Sequence, residues 1–271
     1  MSGRPAGRIL RRVAAGIAGV AAIFLAQGLA GRVIALLPAH NTELRLAVAS
    51  LYTIPAAILF WSLLPGATAA IGTRRVREAL LASAAVLLPV SAHLALHGLA
   101  PASSGRSWAL AMVLLLPPAA SEEIMFRGFL QDLFSTSRLP WIGLGVSALL
   151  FAWVHSNNPS ASLQGIVNIG LFGVFLGLMR LLTRGLVFPI LFHWLWNGAT
   201  GCILGAPVSG LELPSLLRPR DSFEAMGFGP EEWPFTGILI LISSCLLLAS
   251  VLRTRRAGEQ PRNGEAATPG A

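Results

Sequence analysis

The chain has 271 residues, of which 54% are hydrophobic and only 12% are charged, and its mean hydropathy is +0.69. A soluble domain carries roughly a quarter charged residues, so this composition excludes an ordinary soluble protein and indicates a polytopic membrane protein. The net charge of +8 does not indicate nucleic acid as a partner, because the arginines cluster beside apolar segments, which is the positive-inside pattern of membrane proteins. Every basic residue is Arg, a composition that suggests a GC-rich bacterial source.

Apolar stretches near the spanning length of about 20 residues predict an all-α fold, a transmembrane bundle of about eight helices around an intramembrane cavity. The first stretch follows several arginines as in a signal peptide, but no clear cleavage site closes it, so we interpret it as a retained helix. The eight stretches are Val13–Gly31, Leu46–Leu64, Ala79–Leu99, Trp108–Leu133, Trp141–His155, Leu163–Leu182, Leu186–Leu204 and Thr236–Leu252.

Arginines are concentrated in alternate connections, which favours both termini in the cytoplasm of a bacterial inner-membrane protein. The arginine-rich connections contain Arg4, Arg8, Arg11 and Arg12, then Arg74, Arg75 and Arg77, then Arg138, then Arg180 and Arg184, then Arg253, Arg255 and Arg256. We divide the chain into N-terminal helices at 1–105, a core at 106–205, an extramembrane loop at 206–235, a last helix at 236–252 and a disordered basic tail at 253–271.

Glu122 and Glu123 stand side by side in an otherwise uncharged apolar run, directly after Pro117 and Pro118, which predict a break or kink. Ionisable groups within a bilayer are costly, so the default interpretation of such a pair is a functional site. Glu123 and Arg127 are four residues apart and share one helix face. Arg127 is thus expected to neutralise Glu123, which leaves Glu122, about 100° away around the helix, free to act as a general base.

Histidines mark two further helices. His155 lies one turn after Phe151, so the aromatic ring is expected to pack beside the imidazole. His193 and Asn197 project together from one helix, where they could stabilise an oxyanion or the histidine could bind a metal. His93 and His97 also share a face but have no accompanying acid.

Other polar residues in apolar segments are given structural interpretations. Asn168 is expected to form a helix–helix hydrogen bond. Cys202 and Cys245 lie in separate apolar segments, lack metal-ligand spacing and are expected to be small buried thiols.

Three short motifs occur in order, Glu-Glu-x-x-x-Arg at 122–127, Phe-x-x-x-His at 151–155 and His-x-x-x-Asn at 193–197. Together with the run Ala120-Ser-Glu-Glu-Ile-Met-Phe-Arg-Gly-Phe-Leu130, they resemble the CAAX prenyl protease type 2 family, also called the CPBP or Abi family of intramembrane proteases. The resemblance implies that Glu122 and His155 activate a catalytic water and that His193 and Asn197 stabilise the oxyanion. Glu123 and Arg127 would organise the site.

The resemblance leaves the catalytic type open between a glutamate-type enzyme and a metalloenzyme, in which Glu122, His155 and His193 would bind Zn²⁺. It implies an endopeptidase acting on a membrane-associated protein or peptide at the bilayer. Two alternatives within the same fold are processing of C-terminal sorting signals and of bacteriocin leaders. A rival of another class is a non-enzymatic membrane protein, either a bacteriocin-immunity scaffold or a proton-coupled transporter, since intramembrane acids and histidines also serve proton relays.

Overall fold

The computed structural model describes residues 75–96, 98–102, 105–135, 140–158, 161–220 and 229–259, together with isolated residues before position 75. The first two predicted helices therefore fall outside the continuously described part. His97, Arg138 and the tail after Glu259 lie outside the described residues as well.

The described chain is almost entirely helical, with one small two-stranded sheet. The elements in chain order are α1 (Val76–Leu96), β1 (Leu99–Pro101), α2 (Ser107–Leu114), α3 (Leu116–Glu123), the π-helix π1 (Ile124–Leu130), α4 (Gln131–Phe134), α5 (Pro140–His155), α6 (Leu163–Thr183), α7 (Val187–Asn197), the π-helix π2 (Gly198–Ile203), β2 (Leu217–Pro219), a 3₁₀ turn (Pro230–Glu232) and α8 (Pro234–Glu259).

Four helices among the described residues are long and apolar enough to cross a membrane, namely Val76–Leu96, Ser107–Phe134, Leu163–Thr183 and Pro234–Arg256. The second is the continuous run from α2 to α4. Helix α5 is apolar but has only 16 residues. These helices agree with a helical membrane protein, and the predicted total of about eight extends into the part of the chain that is not described.

The break or kink predicted before the acids is reduced to a one-residue interruption, because Leu115 between α2 and α3 keeps helical backbone angles. Helix α2 ends at Leu114, and Pro117 and Pro118 occupy the first turn of α3, where a missing backbone N–H costs no helical hydrogen bond. The π-helix that follows the acids was not predicted. Such wide turns are rare and are frequently found at functional sites.

Glycines on α6 allow other helices to approach its backbone closely. A Cβ on Gly173 would lie 3.1 Å from the Cα of Ala148 in α5, and one on Gly177 would overlap Leu144. The carbonyl of Gly177 accepts a hydrogen bond from Gln131 at 3.1 Å. Small residues at membrane helix interfaces serve this purpose. Helix α6 is therefore the central element, and a core rich in phenylalanine surrounds it.

Large apolar side chains on the outer helix faces are exposed, as expected of a surface in contact with lipid. They include Leu80, Leu88, Leu149, Ile242 and Leu246, all at least half exposed. Cys245 is also exposed, so the prediction of two buried thiols is confirmed for Cys202 and wrong for Cys245.

The last helix is longer than the prediction. Helix α8 runs to Glu259, so the tail predicted to be disordered from Arg253 is helical over its first seven residues. Three arginines near the carboxyl end of the helix complement its dipole and favour this extension.

Candidate active site

Three separate helices place the predicted site residues at one location in the bundle. The two acids lie at the end of α3, His155 is the last residue of α5, and His193 lies in the middle of α7. These residues are distant in sequence, so only the packing of α3, α5 and α7 around α6 brings them together.

Glu123 forms the buried inner part of the site. Its side chain is fully buried, and its Oε1 accepts a hydrogen bond from Nη1 of Arg127 at 2.9 Å, as the helical spacing predicts. The same oxygen lies 2.9 Å from Nδ1 of His193, a contact that the sequence analysis did not foresee. Glu123 therefore orients both a cation on its own helix and an imidazole on α7. A carboxylate behind a histidine fixes the orientation and the tautomer of the ring.

Arg127 is also fully buried, and its guanidinium group packs over the ring of Phe151. The guanidinium carbon lies 4.2 Å from the centre of the Phe151 ring, a distance typical of a cation–π contact. Nη2 of Arg127 donates to the carbonyl of Gly173 at 3.4 Å. The Phe151 ring also packs against His155, with ring centres 4.4 Å apart, which confirms the predicted contact.

Glu122 faces two imidazoles without touching either of them. Its Oε2 lies 3.9 Å from Nε2 of His155 and 3.8 Å from Nε2 of His193. Both distances exceed a direct hydrogen bond. The Glu122 side chain is 27% exposed, while its Oε2 is buried and has no hydrogen-bond partner among the described residues. Arg127 pairs with Glu123, and among the described residues it makes no ion pair with Glu122, as predicted.

The tautomers of both histidines follow from their partners. Nδ1 of His155 lies 2.8 Å from the carbonyl oxygen of Phe151, and Nδ1 of His193 faces the Glu123 carboxylate. A carbonyl and an ion-paired carboxylate can only accept, so each neutral ring carries its proton on Nδ1. Both Nε2 atoms then present lone pairs, and three acceptors converge on one position. A water molecule that donates to two of them and is held near the third satisfies this arrangement.

A zinc ion fits the same three atoms less well. Tetrahedral zinc bound at about 2.0–2.1 Å holds its ligand atoms about 3.3 Å apart. The distances from Glu122 to the two Nε2 atoms are larger, 3.8 and 3.9 Å. No group of three or more His, Cys, Asp or Glu in the described part of the chain is arranged to hold a metal ion. The spacing is better suited to a bridging water.

Asn197 ends α7 one turn after His193 and is half buried. Within the described ranges its side chain makes no hydrogen bond, so its amide is available to a bound group. Its role at an oxyanion stays a prediction.

Comparison with known proteins gives a match to the part of the chain that contains the candidate site. Residues 104–199 match the family model described as Rce1-like, type II CAAX prenyl endopeptidase Rce1-like. The similarity to the Rce1-like family covers this segment of the chain. Searches of curated proteins and of solved structures gave no match.

The Rce1-like family is a protease family, which together with the four apolar helices of the described residues supports a membrane protease. All six predicted site residues, from Glu122 to Asn197, fall inside the Rce1-like segment. The family match confirms the resemblance derived from the three motifs, while the function of each residue depends on the geometry described above.

Glu231 lies outside the Rce1-like segment and was missed by the sequence analysis. It belongs to the 3₁₀ turn before α8, and only 7% of its surface is exposed. Its Oε1 accepts a hydrogen bond from the Trp196 indole at 3.0 Å, and its backbone carbonyl accepts one from Asn168 at 2.5 Å. Asn168 was predicted to form a hydrogen bond to a neighbouring helix. That prediction is wrong, because Asn168 binds this turn. An acid in a loop carries no periodic signal that would have predicted its burial.

The Glu231 contacts connect the loop to a helix of the candidate site. Trp196 lies on α7 three residues after His193, so Glu231 fixes the turn against the element that carries a histidine of the candidate site. Burial raises the pKa of Glu231 from 4.5 to about 7, although hydrogen bonds from Trp196 and from the backbone of Glu231 and Ser209 partly offset this effect. Between pH 4.5 and about 7 the folded protein therefore holds a proton here that the unfolded chain releases.

This difference predicts a pH-dependent stability. The pKa of Glu231 is higher in the folded state than in the unfolded state. The contribution of Glu231 to the unfolding free energy is therefore fully present below pH 4.5 and is lost as the pH rises to about 7. The loss is on the order of 3 kcal/mol for a shift of this size. We expect Glu231→Gln to reduce the fall in thermal midpoint between pH 5 and pH 8 by roughly 5 °C or more, measured on purified protein in detergent.

Glu212→Gln is the matched control for this measurement, because Glu212 is an exposed acid in the same connection. It should retain the pH dependence of the parent protein. Equal pH dependence in Glu231→Gln and in the parent would show that Glu231 does not hold the proton.

Proposed function

We propose that this chain is an intramembrane endopeptidase that hydrolyses a peptide bond in a membrane-associated protein or peptide. Water is the nucleophile, and no acyl-enzyme forms. The observation that carries the proposal is the convergence of Oε2 of Glu122 with Nε2 of His155 and Nε2 of His193 on one position that a water can occupy.

The site has the groups that general base catalysis requires. In the proposed reaction the water oxygen attacks the peptide carbonyl carbon while one water proton passes to Glu122. Glu122 then delivers this proton to the amide nitrogen as the C–N bond breaks, giving a carboxylic acid and an amine. His155 holds the water by accepting its other proton in a hydrogen bond. Its ring is fixed by the Phe151 carbonyl at 2.8 Å, which supports this role.

The negative charge on the carbonyl oxygen needs a hydrogen-bond donor in the transition state. The Asn197 amide can donate without any change of charge. His193 can donate from Nε2 only when it carries a second proton, and in that form its Nδ1 still donates to the Glu123 carboxylate at 2.9 Å. We therefore assign the oxyanion to Asn197 and to His193 in the form that carries both ring protons, in which case the water donates only to Glu122 and His155. Glu123 and Arg127 position the histidine.

The observations support a class of substrate and no individual protein. The family and the apolar helices support a protein or peptide held in the bilayer. Cleavage of a C-terminal sorting signal or of a bacteriocin leader, and a bacterial inner-membrane location with cytoplasmic termini, stay predictions from the sequence.

The test compares the termini of membrane proteins in cells that lack this gene and are complemented with the parent chain, His193→Gln or Glu212→Gln. We expect new termini in cells with the parent chain and in cells with Glu212→Gln. His193→Gln should reduce their abundance by about 100-fold or more, the usual scale for loss of a positioned acid–base group.

Two results would count against the proposal. Identical termini with and without the parent chain would argue against a protease that is active in that host. Parent-like termini with His193→Gln, at equal protein level, would remove His193 from the reaction.

A further inference from the structure

A second polar site lies at the end of the bundle where α6 and α8 end and α1 begins. A cavity of about 200 Å³ there is lined by residues that include Thr254 and four arginines, Arg75, Arg180, Arg184 and Arg255. These arginines come from three connections that the sequence analysis predicted to be cytoplasmic. Their presence around one cavity supports placing the three connections on the same side of the membrane.

The cavity carries excess positive charge. Arg75 pairs with Glu78 at 2.8 Å in an exposed contact, and Arg180 pairs with Asp132. Arg184 and Arg255 have no carboxylate partner within the described ranges. Four guanidinium groups therefore face two carboxylates, which leaves a net charge of about +2 for an anion to neutralise.

Arg180 has an unmet hydrogen-bonding group. The residue is only 8% exposed, and its buried Nε has no partner among the described residues. A buried donor without a partner is costly and is usually satisfied by a ligand or by water. Arg255 stacks over the Trp141 ring, with its guanidinium carbon 5.4 Å from the ring centre. Trp and Arg together are typical of the interface between bilayer and water, where lipid phosphates lie.

We propose that this cavity binds a phosphate-bearing anion, and that the anion is the head group of an acidic phospholipid. Guanidinium groups bind phosphate oxygens through charge-assisted and often bidentate hydrogen bonds. Basic pockets between membrane helices on the cytoplasmic side are a known setting for lipid head groups.

Apolar surface beside the cavity favours a lipid over free phosphate. Leu80 and Leu81 follow Arg75 on α1 and are 56% and 60% exposed, and Leu252 precedes Arg255 on α8 and is 39% exposed. A lipid whose phosphate occupied the cavity could lay its acyl chains along these side chains. Inorganic phosphate would gain nothing from them. The site is separate from Glu122 and does not depend on the proposed hydrolysis.

The test uses the full-length protein, purified in a nonionic detergent and freed of lipid. Native mass spectrometry measures how much phosphatidylglycerol and how much phosphatidylcholine the protein retains. A thermal unfolding experiment measures whether inorganic phosphate raises the midpoint of unfolding. The test variant is Arg184→Gln/Arg255→Gln. Its matched control is Arg253→Gln/Arg256→Gln, which removes the same charge from exposed arginines of α8 that do not line the cavity.

We expect the parent and the control variant to retain phosphatidylglycerol in preference to phosphatidylcholine, and the test variant to bind it at least about tenfold more weakly. Equal retention by both double variants would overturn the site. A different result would overturn the lipid as the source of the phosphate group. In that result inorganic phosphate stabilises the protein through Arg184 and Arg255, and phosphatidylglycerol is not preferred over phosphatidylcholine. If the double variant is unfolded, Arg184→Gln alone replaces it, because that side chain is exposed and unpaired within the described part.

Discussion

Glu122→Gln should lower the rate of peptide cleavage by about 10³-fold, within the range expected for loss of a general base. The amide of Gln fills the same space but cannot take a proton from water. Its NH2 group can also donate to the lone pairs of the two Nε2 atoms, which lie 3.8 and 3.9 Å from Oε2 in the parent protein, and can thereby displace the water. The measurement is the single-turnover cleavage rate of a substrate identified from the comparison of termini.

The Glu122 substitution should leave the fold unchanged. Its carboxylate has no ion pair within hydrogen-bond distance, and the side chain is 27% exposed, so the expected change in unfolding free energy is within about 0.5 kcal/mol. Glu212→Gln serves as control and should cleave at the parent rate. A Glu122→Gln enzyme with more than a tenth of the parent rate would mean that another group activates the water.

Helical periodicity was sufficient to predict the local part of the site. Glu123 and Arg127 are four residues apart, and this spacing predicted both their ion pair and the separation of Glu122 from it. The contact between Phe151 and His155 was predicted in the same way. Such pairs depend only on the geometry of one helix.

Contacts between distant segments were not predictable from one sequence. Glu123 and His193 are 70 residues apart, and their hydrogen bond depends on how α3 and α7 pack against α6. Asn168 was assigned to a helix interface, yet it binds the turn that contains Glu231. The π-helix also has no periodic signature, because it uses the same apolar residues as an α-helix.

Arg127→Met should destabilise the protein more than any other substitution in the site. Arg127 and Glu123 are both fully buried, so removing the cation leaves a buried carboxylate without its neutralising partner. Breaking a buried pair in this way typically costs about 3–5 kcal/mol. Met retains much of the side-chain volume and its packing against Phe151, so lost packing contributes less. The measurement is the unfolding free energy of the purified protein in mixed micelles with increasing SDS.

The double variant Glu123→Gln/Arg127→Met separates the two causes. If the uncompensated carboxylate is responsible, removing its charge should restore most of the stability, because replacing both members of a buried pair is often nearly neutral. If lost packing is responsible, the double variant should be as unstable as Arg127→Met. Cleavage should stay low in either case, since an amide, unlike the carboxylate, can present a donor to Nδ1 of His193 across the 2.9 Å contact and no longer fixes which ring nitrogen carries the proton. Restored stability with low activity would thus identify Glu123 as a positioning residue whose charge acts through His193, and parent-like activity would contradict that role.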